Sequence, residues 1–102
     1  MKNCFTVIFY NKLKDQSGKY AMVSQQMFDL AKEQEGYLGL ESVRDSSGVG
    51  ITVSYWNSQE SIRKWRSNLD HMAAQEYGIT EGYEWYHLTV AQVQYEKSHN
   101  FS

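Results

Sequence analysis

The sequence predicts a single α+β domain whose elements run β-α-β-β-α-β around a four-stranded antiparallel sheet. Three observations carry this expectation. Runs of β-branched and aromatic residues stand near both ends of the chain, two segments between them space their apolar residues by three and four, and two strand-like runs are joined by a short polar loop with glycine near its end. With 102 residues, 41% of them hydrophobic, the chain is large enough for one core and too small for two. It contains no proline, no low-complexity stretch and no evident repeat, so one unit spans residues 1–102, with a core over about 3–95 and a polar tail over 96–102.

The first strand is read at Cys4–Tyr10 (CFTVIFY), where neither alternate set of side chains suits water, so both faces require cover. A polar turn over Asn11–Gly18 follows. Tyr20, Val23, Met27, Leu30 and Ala31 then share one side of a helix that Gly36 closes. Tyr37–Arg44 and Val49–Trp56 form a hairpin through Asp45-Ser46-Ser47-Gly48. Asn57-Ser58-Gln59-Glu60 has the residue types of a capping box and opens a second helix with Ile62, Trp65 and Leu69 on one side. Asn68 is expected to interrupt it before a further helical piece ending at Gly78. The last strand is read at Tyr83–Tyr95. This order is the split βαβ, ferredoxin-like pattern, with both helices on one side of the sheet. The opposite face needs a second cover, and a second copy of the chain is the expected one, two sheets closing into a shared barrel.

Composition narrows the function. Ten Lys plus Arg stand against twelve Asp plus Glu, which leaves no basic footprint for nucleic acid or an anionic membrane. The single cysteine, Cys4, has no internal partner, which fits a reducing compartment. No signal-peptide hydrophobic region is completed before Asn11 and Lys12, and no apolar run approaches membrane-spanning length, so a cytoplasmic protein is expected. Eight Tyr, four Phe and three Trp exceed what a minimal core needs and point to a lined cavity or an interface. The three histidines lie at positions 71, 87 and 99, without metal-ligand spacing, and the seven glycines form no phosphate loop or dinucleotide fingerprint. Neither a metal nor a bound cofactor is expected.

Four segments carry a family resemblance: Gln34–Gly39 (QEGYLG), Gly50–Trp56 (GITVSYW), Ser61–Arg66 (SIRKWR) and Asp70–Gln75 (DHMAAQ) with Gly78 beyond it. Together they resemble the antibiotic biosynthesis monooxygenase (ABM) family, from about the first strand to Val93. The Tyr55-Trp56 pair followed by Trp65 and His71 is the strongest part. The resemblance implies a dimeric α+β barrel. It also implies membership among proteins that include cofactor-independent monooxygenases acting with O2 on polycyclic aromatic substrates, haem-degrading monooxygenases and small proteins without assigned activity. Fold membership cannot choose among these.

The expected activity is cofactor-independent oxidation of a small aromatic or quinol-like molecule. The competing expectations are a non-catalytic ligand-binding or stress-response dimer and, less favoured, haem degradation. His71 is the candidate base, because imidazole titrates near neutrality, although it also suits a structural role at the helix-to-loop junction. Asn11 and Trp65 are candidates to position substrate or stabilise an oxyanion, and Trp65 equally suits the core. Tyr10, Tyr55, Trp56, Trp85 and Tyr86 are candidate pocket lining, or alternatively interface anchors. The haem branch is implied to place a histidine ten residues after the helix tryptophan. Here that position is Gln75, a poor iron ligand beside imidazole.

Overall fold

A computed structural model of the chain describes residues 4–14, 18–76 and 82–100, and for 18–24 and 70–76 the backbone alone. Its elements are β1 (Phe5–Leu13), α1 (Gly18–Glu33), β2 (Tyr37–Arg44), β3 (Val49–Trp56), α2 (Gln59–Glu76) and β4 (Tyr83–Gln92). The sheet order is β2-β3-β1-β4, every neighbouring pair antiparallel, which is the expected ferredoxin-like arrangement.

Strand pairing fixes which side chains share a face. Val7 lies opposite Ser54 and Val90, Phe9 opposite Thr52 and Leu88, and Asn11 opposite Gly50 and Tyr86. These odd-numbered positions of β1 and their partners face the helices. Val7, Trp56, Ala31 of α1, and Ile62 and Trp65 of α2 form one buried cluster, which places both helices on the same side. Trp56 is its centre, fully buried, stacked on Trp65 at 5.1 Å between ring centroids and meeting Tyr37 edge-on at 5.8 Å. Truncating such a side chain costs about 3–5 kcal/mol. The opposite set, with Ile8, Tyr10, Ile51, Tyr55 and Trp85, forms the outer face, where Tyr10 and Trp85 rings pack at 4.8 Å and both side chains stay exposed in the single chain.

The hairpin bounds agree with the sequence reading, and the turn chemistry explains why. Asp45 Oδ1 accepts from Ser47 N, Ser47 Oγ and Val49 N, and Gly48 adopts φ 96°, a left-handed conformation that glycine takes without steric cost. Gly36 has φ 93°, and a Cβ there would collide with the Ser61 and Asn57 side chains, so helix exit and helix entry touch at this glycine.

Four boundaries differ. β1 continues through Asn11 and Lys12 to Leu13, because both are paired on two sides, and the polar turn starts later. α2 runs unbroken past Asn68, whose Nδ2 donates to Gln34 Oε1 at 3.3 Å across to the end of α1. The cap of α2 is Ser58, whose Oγ accepts from Ser61 N at 3.1 Å, so the capping position lies one residue later than the Asn57 reading. β4 stops at Gln92, short of Tyr95. Gly78 lies outside the described residues.

Candidate functional site

Between the helices and the sheet lies a largely enclosed cavity of about 40 Å³. Its floor is Val7, Phe9, Thr52 and Ser54, Leu88 of β4 closes one side, and Met27, Phe28, Trp65 and Leu69 descend from the helices. The polar floor residues are already engaged. Thr52 Oγ1 and Ser42 Oγ share a hydrogen bond of 2.8 Å, and Ser54 Oγ accepts from Trp56 Nε1 at 2.9 Å. The lining left for a ligand is therefore mainly apolar, as small-molecule sites commonly are.

Among the described residues, two buried side-chain polar atoms lack a hydrogen-bond partner, Asn11 Oδ1 and Trp65 Nε1. Asn11 is fully buried, and its Nδ2 donates to Phe9 O at 3.3 Å, which orients the amide with Oδ1 free. Leaving such an atom unpaired costs about 1–3 kcal/mol, so each demands an explanation. One is an acceptor and the other a donor. Asn11 sits in the cross-strand row next to Phe9 and Leu88, and Trp65 lines the cavity itself.

The same row ends in a cation. Arg44 of β2 lies opposite Gly50 of β3, which lies opposite Asn11 of β1. The guanidinium is laid across Gly50: a Cβ there would stand 2.7 Å from Cζ and 2.8 and 2.9 Å from the two terminal nitrogens. Nη1 donates to Gly48 O at 2.6 Å. The loop of four residues after Arg44 was the sequence signal for this register, but only the missing Cβ at Gly50 reveals where the guanidinium goes.

The candidate residues are thus divided. Asn11 and Trp65 belong to the helix side of the sheet. His71 lies within α2, as does Gln75, and the side chains of both are outside the described residues. The five candidate lining residues separate by strand parity: Tyr10, Tyr55 and Trp85 belong to the outer face, away from the cavity, and Trp56 is core. Tyr86 is on the helix side like Trp56, in a ring cluster with Phe9 at 5.7 Å and Tyr83 at 6.3 Å, and is half exposed. Phe9 and Tyr83, which meet edge-on at 5.3 Å, were not singled out by sequence. An open groove of about 280 Å³ runs along Tyr10, Val43, Val49 and Ile51 of the outer face and reaches Arg44, Asp45 and Gly50 at the hairpin end of the sheet. Among the described residues no group of three His, Cys, Asp or Glu side chains is placed to hold a metal ion, and no helix is long and apolar enough to cross a membrane.

Comparison with known proteins agrees with this architecture. The family model described as antibiotic biosynthesis monooxygenase matches residues 5–77. The protein YqjZ of Bacillus subtilis (strain 168) is 41% identical over 93 residues, covering 91% of this chain and 82% of that protein. The jasmonate monooxygenase ABM of Pyricularia oryzae is 30% identical over 94 residues, 87% of this chain but only 43% of that longer protein. Among solved structures, a mutant of SnoaB, a cofactor-independent oxygenase from Streptomyces nogalater, superposes with a TM-score of 0.77 over 92% of this chain and 96% of its own, at 8% identity, a likeness of fold. With a family match across most of the chain and a relative at 41% identity, the chain belongs to the antibiotic biosynthesis monooxygenase family.

Proposed function

We propose that the protein is a monooxygenase that uses O2 without a bound cofactor on a small aromatic or quinol-like substrate held between the helices and the sheet. The observation that carries this reading is the pair of buried, unpartnered polar atoms, Asn11 Oδ1 and Trp65 Nε1, beside an apolar cavity. A substrate hydroxyl donating to Asn11 and a substrate oxygen accepting from Trp65 would satisfy both. Charge developing on that oxygen would strengthen the Trp65 bond, which is the differential stabilisation catalysis requires. The activities named for two similar proteins, a jasmonate monooxygenase and a cofactor-independent oxygenase, support the reaction class.

The step balances without an external reductant. A base removes a proton from an activated CH2 group, the resulting carbanion passes electrons to O2, one oxygen atom ends as the product carbonyl and the other leaves as water with the two substrate hydrogens. His71 is the proposed base, with Trp65 on the same helix. A cavity of about 40 Å³ admits a water or O2 but not a ring system, so substrate entry requires the site to open.

Oxygen uptake with a panel of anthrones and quinols tests the reading. Uptake is expected for at least one compound and should fall at least tenfold in Trp65→Phe and His71→Ala. Tight binding without uptake would replace the enzyme with a binding module. We further propose that two chains pair through the outer face, where Tyr10, Ile51 and Trp85 are apolar or aromatic yet exposed in the single chain.

A further inference from the structure

We propose that the ligand of this site carries a carboxylate, and that Arg44 holds it at the end of the cross-strand row that contains Asn11. The inference rests on the helix-side location of the substrate proposed above and names its chemical class.

Arg44 is a half-buried cation whose position is built rather than incidental. Antiparallel pairing sets Arg44, Gly50 and Asn11 side by side in one row. Glycine at the middle position lets the guanidinium lie flat toward the sheet, since a Cβ would stand within 3 Å of three of its atoms. The hydrogen bond from Nη1 to Gly48 O anchors it. One carbonyl uses one of five guanidinium donors, and the remainder of the fork has the geometry that a carboxylate accepts bidentately.

No carboxylate of the protein fills that role among the described residues. The adjacent acid, Asp45, spends its Oδ1 on Ser47 and Val49 within the hairpin turn. Glu84 pairs with Lys12 at 3.2 Å and Glu60 with Arg63 at 3.2 Å. Across Gly50 from Arg44 is Asn11, fully buried with its acceptor unpaired, and the next row, Thr52, Phe9 and Leu88, lines the apolar cavity. A molecule with an apolar body and one carboxylate matches this sequence of environments. A neutral ligand could accept from the fork but would not supply the charge-assisted, bidentate pair.

The test compares 2-naphthoate with its neutral isostere 2-naphthamide by titration calorimetry on the full chain. The wild type is expected to bind the acid at least about tenfold more tightly than the amide, a factor appropriate to a charge-assisted bidentate pair. Arg44→Gln should abolish that preference, lowering the affinity for the acid far more than that for the amide. Gly50→Ala is the second variant: it keeps the charge but pushes the guanidinium off its seat, and only the far end of a flexible side chain must move, so folding should survive. It should lower the preference too, and Arg44→Lys should restore part of it. Equal affinity for acid and amide in the wild type, or a preference that survives both Arg44→Gln and Gly50→Ala, overturns the assignment while leaving the location of the site intact. Binding of neither compound removes both the assignment and the helix-side site.

Discussion

Replacing Asn11 by leucine separates a residue kept for binding from one kept for folding. Asn11 is fully buried, with one hydrogen bond from Nδ2 to Phe9 O at 3.3 Å and an unpaired Oδ1. A buried acceptor without a partner costs about 1–3 kcal/mol, whereas an ordinary hydrogen bond contributes only about 0.5–1.5 kcal/mol, and this one is long. Leucine has the same branching and neither polar atom. Asn11→Leu should therefore leave the ligand-free protein as stable as the wild type or stabilise it by about 1 kcal/mol, a rise in Tm of about 4–8 °C for a domain of this size. Substrate binding or turnover should fall at least tenfold in the same protein. Urea denaturation monitored by tryptophan fluorescence, run beside oxygen uptake, reads both quantities. A loss of more than about 1 kcal/mol with unchanged activity would refute the reasoning, because Asn11 would then be holding the end of β1 rather than awaiting a ligand.

Light scattering should give twice the chain mass at micromolar concentration, and Ile51→Glu, which buries a charge in the proposed outer-face interface, should give one chain mass with the fold retained by circular dichroism. Hydrogen bonding from the Ser47 side chain holds the Asp45 carboxyl below its ordinary 3.8, with the Val49, Ser47 and Gly48 backbone adding to this against an opposing effect of burial. A depressed carboxyl stabilises the folded state above its unfolded pKa and loses that contribution as pH falls through the folded value. Asp45→Ala should accordingly lower Tm at pH 7, and the difference from the wild type should shrink as pH falls through the folded value, below 3.8. Haem should bind weakly and without a histidine-ligated absorption spectrum, since Gln75 stands where that branch places its ligand, and Gln75→His should produce such a spectrum. Stoichiometric histidine-ligated haem in the wild type would instead point to His71.

What the sequence disclosed and what it withheld follow from how local each signal is. The bounds of β2 and β3 were legible because Asp45 and Gly48 define a turn through their own backbone chemistry, independent of the rest of the chain. Trp65 was legible because helical spacing with Ile62 and Leu69 puts it on the buried side whatever lies beneath. The extension of β1 to Leu13 was not, since Asn11 and Lys12 have weak strand preference and are strands only because β3 and β4 pair with them on either side. Arg44 was invisible for the same reason: its role depends on which residue lies opposite and on that residue lacking a Cβ.

The division of the aromatic residues has a deeper cause. In Cys4–Tyr10 both alternate sets of side chains are apolar, so period-2 patterning, which normally tells core face from solvent face, carries no sign here. Tyr10 and Trp85 on one parity and Phe9 and Tyr86 on the other look equivalent until the helices choose a side. That loss of information is itself a consequence of function, because a sheet with two apolar faces has two things to bury, the helices with their site on one side and, as proposed, a second copy on the other. Site and interface then alternate residue by residue along one strand, Asn11 next to Tyr10, without sharing side chains. The two variants Asn11→Leu and Ile51→Glu should for this reason act separately, the first on ligand and not on assembly, the second on assembly while leaving Asn11 Oδ1 and Trp65 Nε1 in place. A double variant whose losses are the sum of the single ones is the expected result, and strong non-additivity would mean that the second copy completes the site.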